Sequence, residues 1–264
     1  MPTFTSGKKE KFARFGIFIK GFVYLLIGIL TALAAFNMGG KKSGSSNVLQ
    51  FLSRQPFGKI LLVIVAVGLI AYTFWRLYQA IMDHDNDGSD SKAFIKRIGY
   101  AISGLFYGFL AYSSIKLIIG ASSGSSGSES TASTILSKPF GQILLGIVAL
   151  ILLGKGVFQF YRAYSEKFRN EINESELGKK RKKLLINSGI IGFSARGVVV
   201  CIVAYLLFRA AWEANASASG GKVKAFGFIK DEFGTIILGI TALGLIAYAV
   251  FMFLQALYRK INMD

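Results

Sequence analysis

The chain has 264 residues, 53% of them hydrophobic and 17% charged, with a net charge of +17 and a mean hydropathy of +0.50. A soluble domain is nearer a quarter charged, and here the apolar residues are gathered into long runs, which excludes a soluble globular class. A single cysteine and a single histidine rule out an intrachain disulfide and leave few nucleophile–base designs open.

The first apolar run, 15–36, is long enough to cross the ~30 Å hydrocarbon layer as a helix. Lys8, Lys9, Lys11 and Arg14 precede it, and Ala32-Leu33-Ala34 imitates a signal cleavage site. The run is nevertheless long for a signal core, contains Lys20 and is one copy of a repeat, so it reads as a retained span. A Gly/Ser-rich connection, Ser43 to Ser46, leads to the second run, 57–80. That run opens with Gln55-Pro56-Phe57-Gly58, and proline suits the first turn of a helix, where its missing N–H is no loss. Asp83-His84-Asp85-Asn86-Asp87-Gly88-Ser89 follows and matches the opening of a calcium loop. Asp83, Asp85 and Asp87 would supply hard oxygen ligands, Gly88 the sharp turn and Ser89 a carbonyl. Phe94 stands where the bidentate glutamate belongs. The competing reading is a solvated acidic turn, and Ca²⁺ or Mg²⁺ binding here is expected to be weak. No other cofactor is expected.

The third run, 98–119, ends in a second Gly/Ser-rich connection, Ser122 to Ser128, and the fourth, 140–161, begins after Lys138-Pro139-Phe140-Gly141. The segment Glu166 to Lys183 alternates in charge and ends in Lys179-Lys180-Arg181-Lys182-Lys183. It predicts a cytoplasmic helical extension whose basic end gains about 1 kcal/mol per charge from anionic lipid. Nucleic-acid binding is not expected, because the aromatics lie in the spans rather than around this run. The fifth run, 187–211, contains Cys201, read as a packing residue. The sixth, 233–257, follows Asp231-Glu232, acids that complement a positive helix end in place of proline. A β-barrel would show ~10-residue alternating segments, and backbone groups in lipid must be satisfied internally. The fold class is therefore all-α: a polytopic membrane protein with six transmembrane helices.

Lys and Arg favour the cytoplasmic side. Both termini and the two connections on their side carry 18, and the three opposite connections carry 8. The expected topology places both termini in the cytoplasm. Trp75, Tyr78, Phe160, Tyr161, Tyr164 and Tyr258 then read as an interfacial belt.

Repetition is the most specific signal. Offsets of 83 and 176 carry Gly16 to Gly99 and Gly192, Gly21 to Gly104 and Gly197, Phe57-Gly58 to Phe140-Gly141 and Phe233-Gly234, and Ala80 to Ala163 and Ala256. The chain divides into units 1–82, 83–165 and 166–264, three tandem two-helix repeats of one orientation, compatible with a pseudo-threefold bundle. The stretch Gln55-Pro56-Phe57-Gly58-Lys59-Ile60-Leu61-Leu62, continuing to Gly68-Leu69-Ile70-Ala71-Tyr72 and Trp75-Arg76, resembles the signature of a bacterial membrane family catalogued as domain of unknown function 1206. The third copy, Asp231-Glu232-Phe233-Gly234, lacks the proline. The resemblance covers nearly the whole chain and implies three such units in a bacterial inner membrane. It implies no activity, substrate or catalytic residue.

Ionisable residues within spans are functional candidates by default, and here they are all basic. Lys20, Ser103 and Arg196 share one repeat position; Tyr72, Lys155 and Tyr248 share another; Arg76 and Arg162 lie one or two turns further on. All are expected at similar depth in the cytoplasmic half. Two readings stand. In one, the long side chains snorkel to the interface and meet lipid phosphate. In the other, Lys20, Arg196, Lys155, Arg76 and Arg162 form a basic pocket for an anion or an anionic lipid head group. Proton relays usually run through Asp, Glu or His, so proton-coupled transport is not expected. No catalytic residues are assigned and the protein is not expected to be an enzyme. Two classes remain: a structural, accessory or lipid-binding membrane subunit, with anionic lipids, other membrane proteins or its own copies as partners, and a passive channel or transporter favouring anions.

Overall fold

Apolar runs flanked by charge give helices, and in the computed structural model nearly every described segment is helical. The structure describes residues 6–36, 38, 44–81, 91–120, 132, 134–137, 140–173, 177–215, 219 and 222–259. The helices are α1 (Ser6–Ala35), α2 (Ser45–Ser53), α3 (Gly58–Ile81), α4 (Ser91–Ile118), α5 (Gly141–Tyr164), α6 (Lys179–Trp212) and α7 (Lys222–Tyr258), with a 3-10 turn at Lys167–Glu171. All but the short α2 are long and apolar enough to cross a membrane. The chain is a multi-pass membrane protein of six spans.

Each long helix that follows a Phe-Gly pair starts from a sharp corner. Phe57 and Phe140 take φ of 60° and 61°, the left-handed region, whereas the third repeat turns at Gly234 with φ of 81°. A Cβ on Gly58 would strike the Leu52 carbonyl, and one on Gly141 the equivalent Ile135 carbonyl. The glycine thus lets the preceding short helix fold back over the long one. Pro56 lies in this corner, two residues ahead of α3, not in its first helical turn. In the third repeat the short and long helices run on as α7, kinked at Gly234. The short helices cover the bundle on this side: Val48, Leu49 and Leu52 from α2, and Ala225, Phe226 and Ile229 from the start of α7, are buried.

Glycines set the seams between long helices, because close approach maximises dispersion contact where lipid supplies no hydrophobic drive. Gly21 of α1 faces Phe253 of α7, Gly104 of α4 faces Leu77 of α3, and Gly197 of α6 faces Phe160 of α5; a Cβ on each would come within 3.0, 3.1 and 2.9 Å. The three glycines are repeat equivalents, and so are the three partners. Within the first and third repeats, Gly16 lies against the Tyr72 backbone and Gly192 against Tyr248, each at 2.5 Å from an added Cβ. Gly68 meets Ile19, and Gly244 meets the equivalent Ala195. The helices therefore run side by side in the order α4, α3, α1, α7, α6, α5.

The ring lacks its sixth seam. α4 and α5, the two helices of the middle repeat, form no packed interface among the described residues. Gly99, the equivalent of Gly16 and Gly192, has nothing within 4 Å of an added Cβ. The sequence supplies the reason. Where the other repeats pair a glycine with Ile19 or Ala195, the middle repeat pairs Ile102 with Ile151, and these are 51% and 59% exposed. Two branched side chains cannot occupy a space that an isoleucine and a bare backbone already fill.

The end of the bundle carrying both termini is tied by arginines. Arg14 Nη1 donates to the carbonyls of Ala256 (2.9 Å) and Leu257, and Nη2 to that of Arg259 (3.1 Å). Arg97 donates from Nε to Ala80 O (2.9 Å) and from Nη2 to Ile81 O (2.6 Å). These pairs are repeat equivalents, and a cation on the orphan carbonyls of a helix C-terminus is favourable on both hydrogen-bond and dipole grounds. The third repeat has Ile190 at this position, and α5 ends instead in the 3-10 turn, whose Phe168 is buried between Phe193 and Phe251. The Glu166-to-Lys183 stretch is thus not one helical extension. Its basic run Lys179 to Lys183 forms the opening turns of α6 itself. Trp75 is buried, with Arg259 over its ring at 5.6 Å, so it does not belong to the interfacial belt.

Candidate functional site

The long helices begin earlier than the apolar runs, α1 at Ser6 and α6 at Lys179. Lys20 and Arg196 consequently fall near the middle of their helices rather than close to one end. Lys20 is 5% exposed. Its ammonium does not snorkel: Nζ donates to Tyr72 Oη at 2.9 Å and lies over the rings of Tyr72, Tyr107 and Tyr248 at 4.8, 5.5 and 5.8 Å. Arg196 stacks on Tyr248 at 4.3 Å and on Tyr24 at 5.1 Å. Arg76 donates from Nε to the same Tyr72 Oη at 2.7 Å and from Nη1 to Gln79 Oε1 at 3.0 Å, and its guanidinium covers Tyr100 at 4.9 Å. The cluster thus gathers side chains from α1, α3, α4, α6 and α7. Tyr72 against Tyr107 and Tyr24 against Tyr248 are edge-to-face at 4.7 and 4.9 Å, which locks the rings.

The geometry follows the repeat. Tyr24 and Tyr107 occupy one position, one helical turn beyond Lys20 and Ser103; Tyr72 and Tyr248 occupy another, where the middle repeat has Lys155. The backbone approaches of Gly16 to Tyr72 and Gly192 to Tyr248 bring each ring beside the cation of its own repeat. Lys155 is exposed on α5 beside the unsealed seam, within electrostatic reach of Arg196, Lys20 and Tyr24. From the far side Lys222 reaches in, with Nζ 3.4 Å from both Tyr24 Oη and Ser45 Oγ and 4.6 Å from the Tyr24 ring centre.

Among the described residues no carboxylate forms an ion pair with Lys20, Arg76 or Arg196; the ion pairs present lie elsewhere. Burying a charge without an ionic partner costs several kcal/mol per ion. Tyrosine faces and hydroxyls return part of that, at about 2 kcal/mol for a desolvated cation–π pair. The balance leaves a positive, hydroxyl-rich centre that can accept an anion.

Arg162 lies apart, at the end carrying the termini. Its Nη2 donates to Glu171 Oε1 at 2.5 Å, and its guanidinium covers Phe193 at 4.7 Å. Gln255 Nε2 donates to the other Glu171 oxygen at 2.7 Å, and Arg259 lies 3.6 Å from it. Burial alone would raise the Glu171 pKa; the charges of Arg162, Arg259 and Arg76 override it and hold the carboxyl at about 2. The 3-10 turn is fixed further by an antiparallel bridge from Ile172 to Arg259 and by Asn173 N donating to Tyr258 O at 2.7 Å.

Of the residues expected to make a basic pocket, Lys20, Arg196 and Arg76 meet through shared tyrosines, Lys155 borders them, and Arg162 joins the Glu171 network instead. The proposed calcium loop, Asp83, Asp85, Asp87 and Ser89, lies outside the described residues. No group of three or more metal-ligating side chains occurs among the described residues. Sequence reasoning missed Tyr24, Tyr107, Lys222 and Glu171. The shared repeat position of Tyr24 and Tyr107 was a usable signal; nothing marked Glu171 among the other charges of its segment.

Comparison with known proteins adds the following. The family profile described as Domain of Unknown Function (DUF1206) matches residues 15–83, 98–166 and 191–259, one match per repeat. An uncharacterised protein, YxxB of Bacillus subtilis (strain 168), is 29% identical over 256 residues, spanning 97% of this chain and 93% of that relative. No solved structure matches.

Proposed function

The chain belongs to the DUF1206 family, and we propose that this member is a non-enzymatic binding protein of the bacterial inner membrane, both termini cytoplasmic, that holds an anionic group at the Lys20–Arg196 centre. The observation that carries this reading is Lys20: a mid-helix ammonium, buried, satisfied by one phenol oxygen and three ring faces, with no carboxylate paired to it. Intramembrane cations ordinarily pair with acids or mark a ligand. A phosphate or carboxylate would supply acceptors to Lys20 and Arg196 together, and Lys155 would add to the field. The excess of positive charge on the terminal side supports cytoplasmic termini.

The test is retention of added lipid by the purified protein in detergent, read by native mass spectrometry. Wild type is expected to keep phosphatidylglycerol at least fivefold over phosphatidylcholine. The variant K20Q/K155Q/R196Q should show no preference. Equal retention by both proteins removes the reading.

A second reading, a passive path for anions, draws on the line of groups from Ser45 and Lys222 through Tyr24, Arg196, Lys20 and Tyr72 to Arg76. Against it, Glu171 sits on the terminal side beyond Arg76 and would repel an anion there. Chloride or phosphate flux into proteoliposomes, abolished in K20Q/R196Q, would favour the path over static binding.

A further inference from the structure

Among the described residues, short elements lie over both ends of the bundle. On one side lie α2 and the first part of α7, with Lys222 bound to Tyr24 and Ser45. On the other lie the arginine caps and the 3-10 turn, with Phe168 buried and Glu171 tied to Arg162 and Gln255. Five of the six lateral seams are packed, two of them with backbone-close glycine contacts within a repeat. The sixth, between α4 and α5, forms no packed interface among the described residues, and Ile102 and Ile151 are exposed there. Lys155 also stands at this seam and occupies the position of Tyr72 and Tyr248, the rings that lie beside Lys20 and Arg196 in the other two repeats.

We infer that the anionic ligand is a membrane lipid that enters sideways from the bilayer, its acyl chain lying in the seam between α4 and α5 and its anionic head passing Lys155 to reach Lys20 and Arg196. This rests on the binding function proposed above and adds the source and route of the ligand. The chemistry of the seam matches an amphiphile. Ile102, Ile151 and the bare backbone of Gly99 offer a chain-wide apolar surface to hydrocarbon. Lys155 offers a charge where that surface meets the cluster. Among the described residues, an anion arriving from water at either end would meet the packed short helices or the Glu171 carboxylate. The middle repeat thus departs from its neighbours at two seam positions, Ile151 for glycine and Lys155 for tyrosine, and both departures suit a lipid.

Two variants test the route while leaving Lys20, Lys155 and Arg196 in place. I151G restores the isoleucine–glycine pairing seen between Ile19 and Gly68 and should let α4 and α5 close. I102W plugs the seam with bulk and does not depend on closure. Each should reduce phosphatidylglycerol retention at least fivefold by native mass spectrometry. A photoreactive p-benzoylphenylalanine at position 151 should crosslink to phosphatidylglycerol in vesicles of phosphatidylglycerol and phosphatidylcholine. Glycerol phosphate, the head group without chains, should not compete at a hundredfold excess. If both seam variants keep the lipid while K20Q/K155Q/R196Q loses it, the sideways route is wrong and the binding centre survives. Competition by glycerol phosphate, or a crosslink at position 151 to a second copy or another protein in place of lipid, overturns the route as well. If wild type itself retains no phosphatidylglycerol, both readings fall together.

Discussion

Replacing Tyr72 by Phe removes a single oxygen shared by two cations, the buried Lys20 and the half-buried Arg76. Tyr72 Oη accepts from Lys20 Nζ at 2.9 Å and from Arg76 Nε at 2.7 Å, which uses both of its lone pairs. A hydrogen bond to a charged group contributes about 1.5–3 kcal/mol. Arg76 keeps Gln79 Oε1 and the face of Tyr100, so its loss lies at the low end. Lys20 keeps ring faces but no other acceptor among the described residues, so its loss lies near the top. Y72F should therefore cost about 4–4.5 kcal/mol, taking both bonds together. The assay is reversible unfolding in mixed micelles with increasing SDS, followed by circular dichroism. Y205F is the control, since Tyr205 is 51% exposed on α6, and should stay within about 0.5 kcal/mol. The double variant K20M/Y72F should recover the Lys20 part of the loss, because no buried ammonium is then left without its acceptor, while the Arg76 Nε bond stays lost. If Y72F unfolds within 0.5 kcal/mol of wild type, the cluster is hydrated and the energetic argument for it fails.

Three further outcomes follow. G16A and G99A are equivalent in the repeat but should diverge: the first forces a Cβ to 2.5 Å from the Tyr72 backbone and should cost about 1–3 kcal/mol in the same unfolding assay, while the second meets nothing and should be neutral or stabilising by up to about 1 kcal/mol. Glu171 has its carboxyl held near 2 against an ordinary value of 4.5; its ionised form is favoured by folding, so its stabilisation is present above pH 4.5 and lost as pH falls toward 2, and E171Q should flatten that acid limb of a stability–pH curve. In a C201S background, F57C should react with an impermeant thiol reagent added outside spheroplasts and K180C only after permeabilisation; the reverse labelling would invert the proposed topology.

The six spans and the threefold repeat were legible because both depend on composition and spacing alone. Long apolar runs leave a helix as the sole lipid-compatible structure, and Phe57-Gly58, Phe140-Gly141 and Phe233-Gly234 recur at fixed offsets. The central position of Lys20 and Arg196 along α1 and α6 was not legible. Helix ends are set by backbone hydrogen bonding, which carried α1 and α6 through charged residues such as Lys11 and Lys182 that a hydropathy reading leaves out. The corner at Phe57 was misread as a helix start at Pro56 because a left-handed phenylalanine has no sequence signature. The partners of Lys20 were hidden for a different reason: Tyr24, Tyr72, Tyr107 and Tyr248 come from four helices, and only the order of packing brings them to one point. The open seam was written in the sequence all along, as isoleucine at 151 where 68 and 244 are glycine, but its meaning needed the contact that those glycines make.

α1 packs more extensively on α7 than on α3, so the earliest of the six spans has its main neighbour in the latest of the six. Gly21 and Gly28 of α1 rest on Phe253 and Ile246, and Arg14 closes on carbonyls at the very end of α7. Biogenesis must therefore hold α1, with its mid-helix lysine, unpaired on one flank until α7 has been inserted. A nascent chain stopped before α7 would expose a glycine-lined flank to lipid and to other nascent helices, which makes the arrival of α7, rather than insertion of the spans before it, the step that commits the bundle to its shape.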